Sequence, residues 1–108
     1  MGEIILDIPD VLSGLPKKEQ ALLMGRALRR AVEDRVVQVE EEIREGQEYL
    51  DYYKDKYGLS FEDYEKKIND LELVGVDYQE DYNDWYFWTE CVQRAQQVLN
   101  TLRQFLSP

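Results

Sequence analysis

Between Lys17 and Tyr57 the chain carries no proline, and Val32, Val36, Val39, Ile43, Gly46, Leu50, Tyr53 and Tyr57 recur at alternating intervals of four and three. That spacing sets all eight on one stripe of a single α-helix, the heptad seam of a helix that packs along another helix, with charged residues on the other faces. Pro16 suits the first turn, and Lys54, Lys56 and Gly58 suit the end, where basic side chains meet the negative pole and glycine takes the left-handed position. Such a helix is roughly 60 Å long. A compact domain of about 100 residues has a radius of gyration near 13 Å. The helix therefore cannot be buried within a globular monomer, and this single constraint sets the fold class.

The remaining elements arrange themselves around it. Ser60 has the form of an N-cap, with Glu62 and Asp63 in the first turn behind it, and Phe61, Tyr64, Ile68 and Leu71 make the apolar stripe of a short helix over 60–71. Residues 69–76 break the pattern and read as a loop. Tyr78, Tyr82, Trp85, Trp88, Val92, Ala95, Leu99, Leu102 and Leu106 then form a second heptad-like seam, predicting a C-terminal helix over 78–106. Its length, roughly 42 Å, lets it return antiparallel along the first helix. The expected fold is all-α, one domain over 1–108: an elongated antiparallel helical hairpin or three-helix coiled-coil bundle. Upstream, residues 1–16 read as strand and connector: Glu3 to Pro9 as one short strand, and Asp10-Val11-Leu12 as a single helical turn in the connector from Pro9 to Pro16. A lone strand needs a mate, and a second copy or a partner is the economical source. Gly25 and Gly46 lie inside the long helix, Gly46 on the seam, where a close approach by another backbone or a large ring is one explanation and local weakening of the helix the other.

Composition narrows the chemistry. The chain has one cysteine, Cys91, and no histidine. That excludes an internal disulfide, a Cys/His zinc site and any nucleophile activated by a histidine base. No apolar run approaches the roughly 20 residues that cross a bilayer, and no basic-then-apolar leader opens the sequence, so the expectation is a soluble cytoplasmic protein with no membrane partner. Net charge is −10, but residues 1–35 balance: Glu3, Asp7, Asp10, Glu19, Glu33 and Asp34 offset Lys17, Lys18, Arg26, Arg29, Arg30 and Arg35. The whole excess lies in 36–108. An acidic body repels nucleic acid and anionic lipid and attracts basic protein surfaces. Four arginines without base-reading or stacking neighbours do not make a nucleic-acid site. The basic-neutral end instead suits self-association, with Arg26, Arg29, Arg30, Ile4 and Leu6 as candidate contacts in a homodimer.

Two constellations stand out. The run from Tyr78 to Trp88 interleaves aromatics with acids, and Tyr78, Tyr82, Trp85, Tyr86 and Trp88, with Glu41, Glu42 and Glu45 supplying field, are the candidate contacts for a basic protein partner. Core packing is the competing role for the same rings. Glu41-Glu42-x-x-Glu45 and Asp81-x-x-Asp84 could hold Mg²⁺ from facing helices, a pair of patches that resembles the all-α nucleotide pyrophosphohydrolases of the MazG type. No residue is assigned to catalysis or to a resident cofactor or metal. The plan of strand, long helix and acidic aromatic tail, with the turn Lys56-Tyr57-Gly58-Leu59-Ser60-Phe61-Glu62-Asp63-Tyr64-Glu65, resembles small acidic prokaryotic type II antitoxins. That resemblance implies a non-enzymatic protein that neutralises a basic, ribonuclease-type toxin by covering it. A self-associating structural coiled coil with no ligand is the alternative, and the Mg²⁺-dependent hydrolase the third reading.

Overall fold

The structure, a computed structural model, describes residues 10–108, and these form four helices: α1 (Asp10–Ser13), α2 (Lys17–Tyr57), α3 (Phe61–Asn69) and α4 (Val76–Leu106). The described part of the chain is all-α, without a strand. The strand expected over Glu3–Pro9, with its contacts Ile4 and Leu6, lies outside the described residues. The molecule is elongated, measuring 69 × 28 × 17 Å with a radius of gyration of 21.5 Å. No helix among the described residues is long and apolar enough to cross a membrane.

The ends of the elements follow from local chemistry. Gly58 adopts φ 62°, and its N–H donates to the Lys54 carbonyl at 2.8 Å, closing α2 in the left-handed conformation that glycine reaches without steric cost. Two residues later the Ser60 hydroxyl accepts from the Asp63 N–H at 3.1 Å and starts α3. α3 stops at Asn69, sooner than the apolar spacing to Leu71 suggests. Leu71 itself turns left-handed, at φ 59°. The Leu71 and Glu72 N–H groups then donate back to the Ile68 and Lys67 carbonyls, a Schellman closure that satisfies the last carbonyls and reverses the chain. α4 begins at Val76, two residues before the expected start, because Gly75 rather than Tyr78 opens it.

α4 runs back along α2, with Tyr57 beside Tyr78 at one end and Arg103 donating to Glu40 at 2.8 Å towards the other. The two heptad seams form this contact. Every seam residue of α2 from Val32 to Tyr57 is buried or half-buried, and so is every seam residue of α4 from Tyr82 to Leu106. The fully shielded core is small: Val39, Tyr53, Tyr64, Trp85 and Leu99. α4 ends near the middle of α2, so residues 17–31 project beyond it. In this projection only Gln20 and Met24 are half-buried, and Leu28 is 47% exposed.

Gly46 is buried directly against α4. A β-carbon there would lie 2.6 Å from Val92 Cγ2 and 3.7 Å from Trp88 Cε3, whereas one at Gly25 would meet nothing within 4 Å. The two glycines thus predict opposite outcomes. Gly25→Ala gains about 0.5–1 kcal/mol of helix propensity. Gly46→Ala must push aside a β-branched, packed side chain, and overpacking of about 1–3 kcal/mol exceeds the same gain, for a net loss of about 1 kcal/mol. Urea unfolding at one fixed protein concentration, followed by circular dichroism, separates them by the sign of the midpoint shift.

Candidate protein-binding groove

The aromatic residues that crowd the second half of the sequence divide into a buried set and a surface set. Trp85 is the centre of the buried set. It lies between Tyr53 and Tyr57 of α2 and Phe61 and Tyr64 of α3, with ring centroids 5.2–6.3 Å away. Offset and edge contacts of this kind add about 0.5–1.5 kcal/mol each beyond area burial. Polar ends are satisfied at the rim. Tyr64 donates to the Tyr78 carbonyl at 2.8 Å, and Tyr82 donates to Glu65 at 2.6 Å. Asp81 accepts from Lys56 at 2.7 Å and from the Tyr57 hydroxyl.

This corrects the expected contact surface. Trp85 is 3% exposed and offers nothing to a partner, and Tyr82 is half-buried against Phe61. A heptad seam that points two tryptophans towards a neighbour cannot say whether the neighbour is solvent, a partner or the chain's own α3. Tyr86 remains outward, 48% exposed, and Tyr78 lies at the edge of the buried set. Of the three glutamates, Glu41 is engaged by Arg44 and Glu42 by Arg35, while Glu45 makes no ion pair among the described residues. Arg26, Arg29 and Arg30 stand on the projecting part of α2, where among the described residues Arg30 meets only Asp34, at 3.8 Å.

The surface set lies on the side of the hairpin away from α3. Tyr49 stacks on Trp88 with centroids 4.2 Å apart and planes within 6°. Beside them Glu45, Glu48, Tyr49, Tyr52 and Tyr53 line a depression of roughly 540 Å³. A second depression, of roughly 370 Å³, continues along the seam between Arg35, Val39, Glu42 and Glu45 on α2 and Trp88, Cys91, Arg94, Ala95 and Val98 on α4. Glu45 lines both, so the two adjoin as a surface groove whose tyrosine half is walled by α2 alone and whose other half lies between α2 and α4. Its α2 wall runs from Arg35 to Tyr53, about 27 Å at the helical rise. The floor is apolar and aromatic, and the rims are charged, with an acidic excess towards the tyrosine end, where Asp84 stands 3.5 Å from the Tyr53 hydroxyl. These dimensions and this lining suit an amphipathic helix. Tyr49, Tyr52, Cys91 and Val98 were missed as site residues, although Arg35, Gln38, Glu42, Glu45, Tyr49 and Tyr52 carry a signal: they share the three-and-four spacing of the main seam, one residue ahead of it on the helix surface.

The two acidic patches do not face one another across the hairpin. Asp81 lies level with Lys56 and Tyr57, some 11 residues, or about 16 Å, along α2 from Glu45. No three Asp, Glu or Cys side chains among the described residues stand close enough to hold a metal ion. That geometry removes the paired-carboxylate site on which the hydrolase reading rested.

Burial and acceptor bonds also shape the tyrosines. Burial, and then the bond to Asp81, push the Tyr57 phenol far above its ordinary value. Burial raises Tyr53 and Tyr64, and the bond to Glu65, with burial, lifts Tyr82 to about 12. Burial opposes ionisation of Asp81, but the donors Lys56 and Tyr57 outweigh it and hold the carboxyl below its ordinary range. Raised phenols stabilise the fold fully below the unfolded tyrosine value near 10, and that contribution is lost as pH rises past it. An alkaline titration of tyrosinate absorbance should therefore show a late phase, above pH 11, that coincides with loss of helical circular dichroism. Tyr82→Phe should shorten that phase by one phenol. Ionisation of all eight tyrosines in one step near pH 10, with the helices intact, would contradict this placement of the rings.

Comparison with known protein families, with curated proteins and with solved structures finds no match to this chain.

Proposed function

We propose that this protein is a binding module that takes a basic, amphipathic helix of a partner protein into the groove along α2 and α4, and that masking such a partner is its function. The observation that carries the reading is the groove itself: an apolar and aromatic floor about 27 Å long, rimmed by Glu42, Glu45 and Glu48, on a body that holds the whole acidic excess of the chain. Leucines or isoleucines of the incoming helix would lie against Tyr49, Trp88, Ala95 and Val98. Its lysines or arginines would meet the glutamates and the open faces of Tyr49 and Tyr52, where a cation over an aromatic ring adds to the ion pairs. Lys56 already stands 5.9 Å from the Tyr52 ring centre, the same kind of contact within the chain.

Neutralisation of a basic ribonuclease-type toxin by covering its surface, as in the type II antitoxins that the sequence plan resembles, is one biological form of this activity. Masking needs no turnover, so no catalytic group is assigned. The acidic rim steers a cationic partner towards the groove and repels nucleic acid, so binding depends strongly on salt.

A synthetic amphipathic peptide of leucine and lysine, about 18 residues long, provides the test. Titrated into dilute wild-type protein, it should change the fluorescence of the half-buried Trp88, and that change should vanish in Trp88→Phe, which leaves the buried Trp85 in place. The glutamate counterpart of the peptide should cause no such change. Glu45→Lys with Glu48→Lys should weaken binding about tenfold or more, and raised salt should do the same to the wild type. Equal binding of the cationic and anionic peptides would dismiss the acidic groove as the recognition surface.

A further inference from the structure

The projecting part of α2 has the chemistry that the groove asks for. Ala21, Met24, Leu28 and Ala31 lie on one stripe of it, at intervals of three, four and three. Ala21, Leu28 and Ala31 are exposed and Met24 is half-buried, so among the described residues this stripe is largely uncovered. Continued at the same spacing it becomes Arg35, Gln38, Glu42, Glu45, Tyr49 and Tyr52, which is the α2 wall of the groove. One side of one helix thus carries a small apolar half followed by a large polar and aromatic half.

We infer that the groove is filled, in the free protein, by residues 17–31 of a second copy, in an antiparallel dimer whose two-fold axis crosses α2 between Val36 and Val37. The inference rests on the reading of the groove as a helix-docking site. Three features support a second copy as the occupant. The first is shape. With the axis there, the halves of the stripe meet in register: Ala21 opposite Tyr52, Met24 opposite Tyr49, Leu28 opposite Glu45 and Ala31 opposite Glu42, so that small or flexible residues face large ones along the contact. The second is length. Ala21 to Arg35 spans about 21 Å, within the groove's 27 Å, and α4 ends where the partner helix must enter. The third is charge. Residues 10–31 carry Lys17, Lys18, Arg26, Arg29 and Arg30 against Asp10 and Glu19, a net +3, and the stretch of the other copy level with them, 42–63, carries Glu42, Glu45, Glu48, Asp51, Asp55, Glu62 and Asp63 against Arg44, Lys54 and Lys56, a net −4. The arrangement is isologous and closes on itself. Each copy gives its projection and receives the other's, so no unpaired end is left to grow a filament. A basic partner must then displace the second copy, and masking and dimerisation exclude one another.

Mass and thiol reactivity test this on the full chain. Light scattering should give twice the 12.9 kDa chain mass, falling towards the monomer on dilution. Leu28→Glu sets a new carboxylate against Glu45 of the other copy at an exposed position, so the monomer should keep its helical circular dichroism while dimer affinity falls at least tenfold. Adding Glu45→Lys to that variant restores an opposite pair on both sides of the axis and should recover the dimer. Cys91, the chain's sole cysteine, lines the groove. Its reaction with a thiol reagent should slow as wild-type concentration rises and should not slow in Leu28→Glu. A wild type that stays at 12.9 kDa at the highest attainable concentration would overturn the dimer, as would a dimer indifferent to Leu28→Glu. A monomeric wild type that still binds the cationic peptide would remove the dimer and leave partner masking standing. A dimer that passes the charge-exchange test in a protein that takes no peptide would do the reverse.

Discussion

Everything in this molecule hangs on the insertion of one ring, Trp85, among Tyr53, Tyr57, Phe61 and Tyr64. It is the place where three helices share a buried surface. Elsewhere the hairpin is held by a single seam, two rows of side chains deep, with Val39, Gly46 and Leu99 its only buried members beyond the aromatic cluster among the described residues. A hairpin of two helices has no interior in the usual sense, since each helix can bury only the stripe that faces the other. The aromatic cluster supplies the missing third side. It fixes the direction of α4, and with it which flank of the seam is covered by α3 and which stays open.

The open flank and the projecting helix are two consequences of the same shortage. α4 is ten residues shorter than α2 (31 against 41), so α2 outruns its cover. α3 is one short helix, so it closes only one flank at one end. Each leaves apolar surface in water: Met24 and Leu28 on the projection, Tyr49, Tyr52 and Val98 along the groove. The charges are divided in the same way, basic on the projection and acidic beside the groove. The two surfaces thus match in both apolarity and charge, and that match is the ground for the proposed dimer and for the proposed partner.

Much of the fold was legible because it rests on local rules. The seam of α2 names its buried residues one by one, and Gly58 and Ser60 mark the turn through conformations that their side chains favour. Gly46, a poor helix former on a seam, was legible as a close approach. Val92 and Trp88 as the groups approaching it were not, because helix spacing gives the facing side of a residue without identifying what faces it. The same gap explains Trp85. Its position predicts a ring pointed at a neighbour, and only the packing of α3 makes that neighbour the protein's own core. It explains Asp81 as well, read as one of a pair of possible metal ligands but placed by the fold between Lys56 and Tyr57.

The sequence by itself determined the elements: a helix too long for a globule, two complementary seams, the caps between them, and a charge divided between the two halves of the chain. These depend on neighbours within a few residues, where periodicity and side-chain chemistry act directly. The tertiary structure decided which aromatics are core and which are surface, where the acids fall relative to the bases, and that the flank opposite α3 carries two adjoining depressions. Those depend on contacts between residues as far apart as Glu40 and Arg103, and their meeting is set by how three helices share one buried ring.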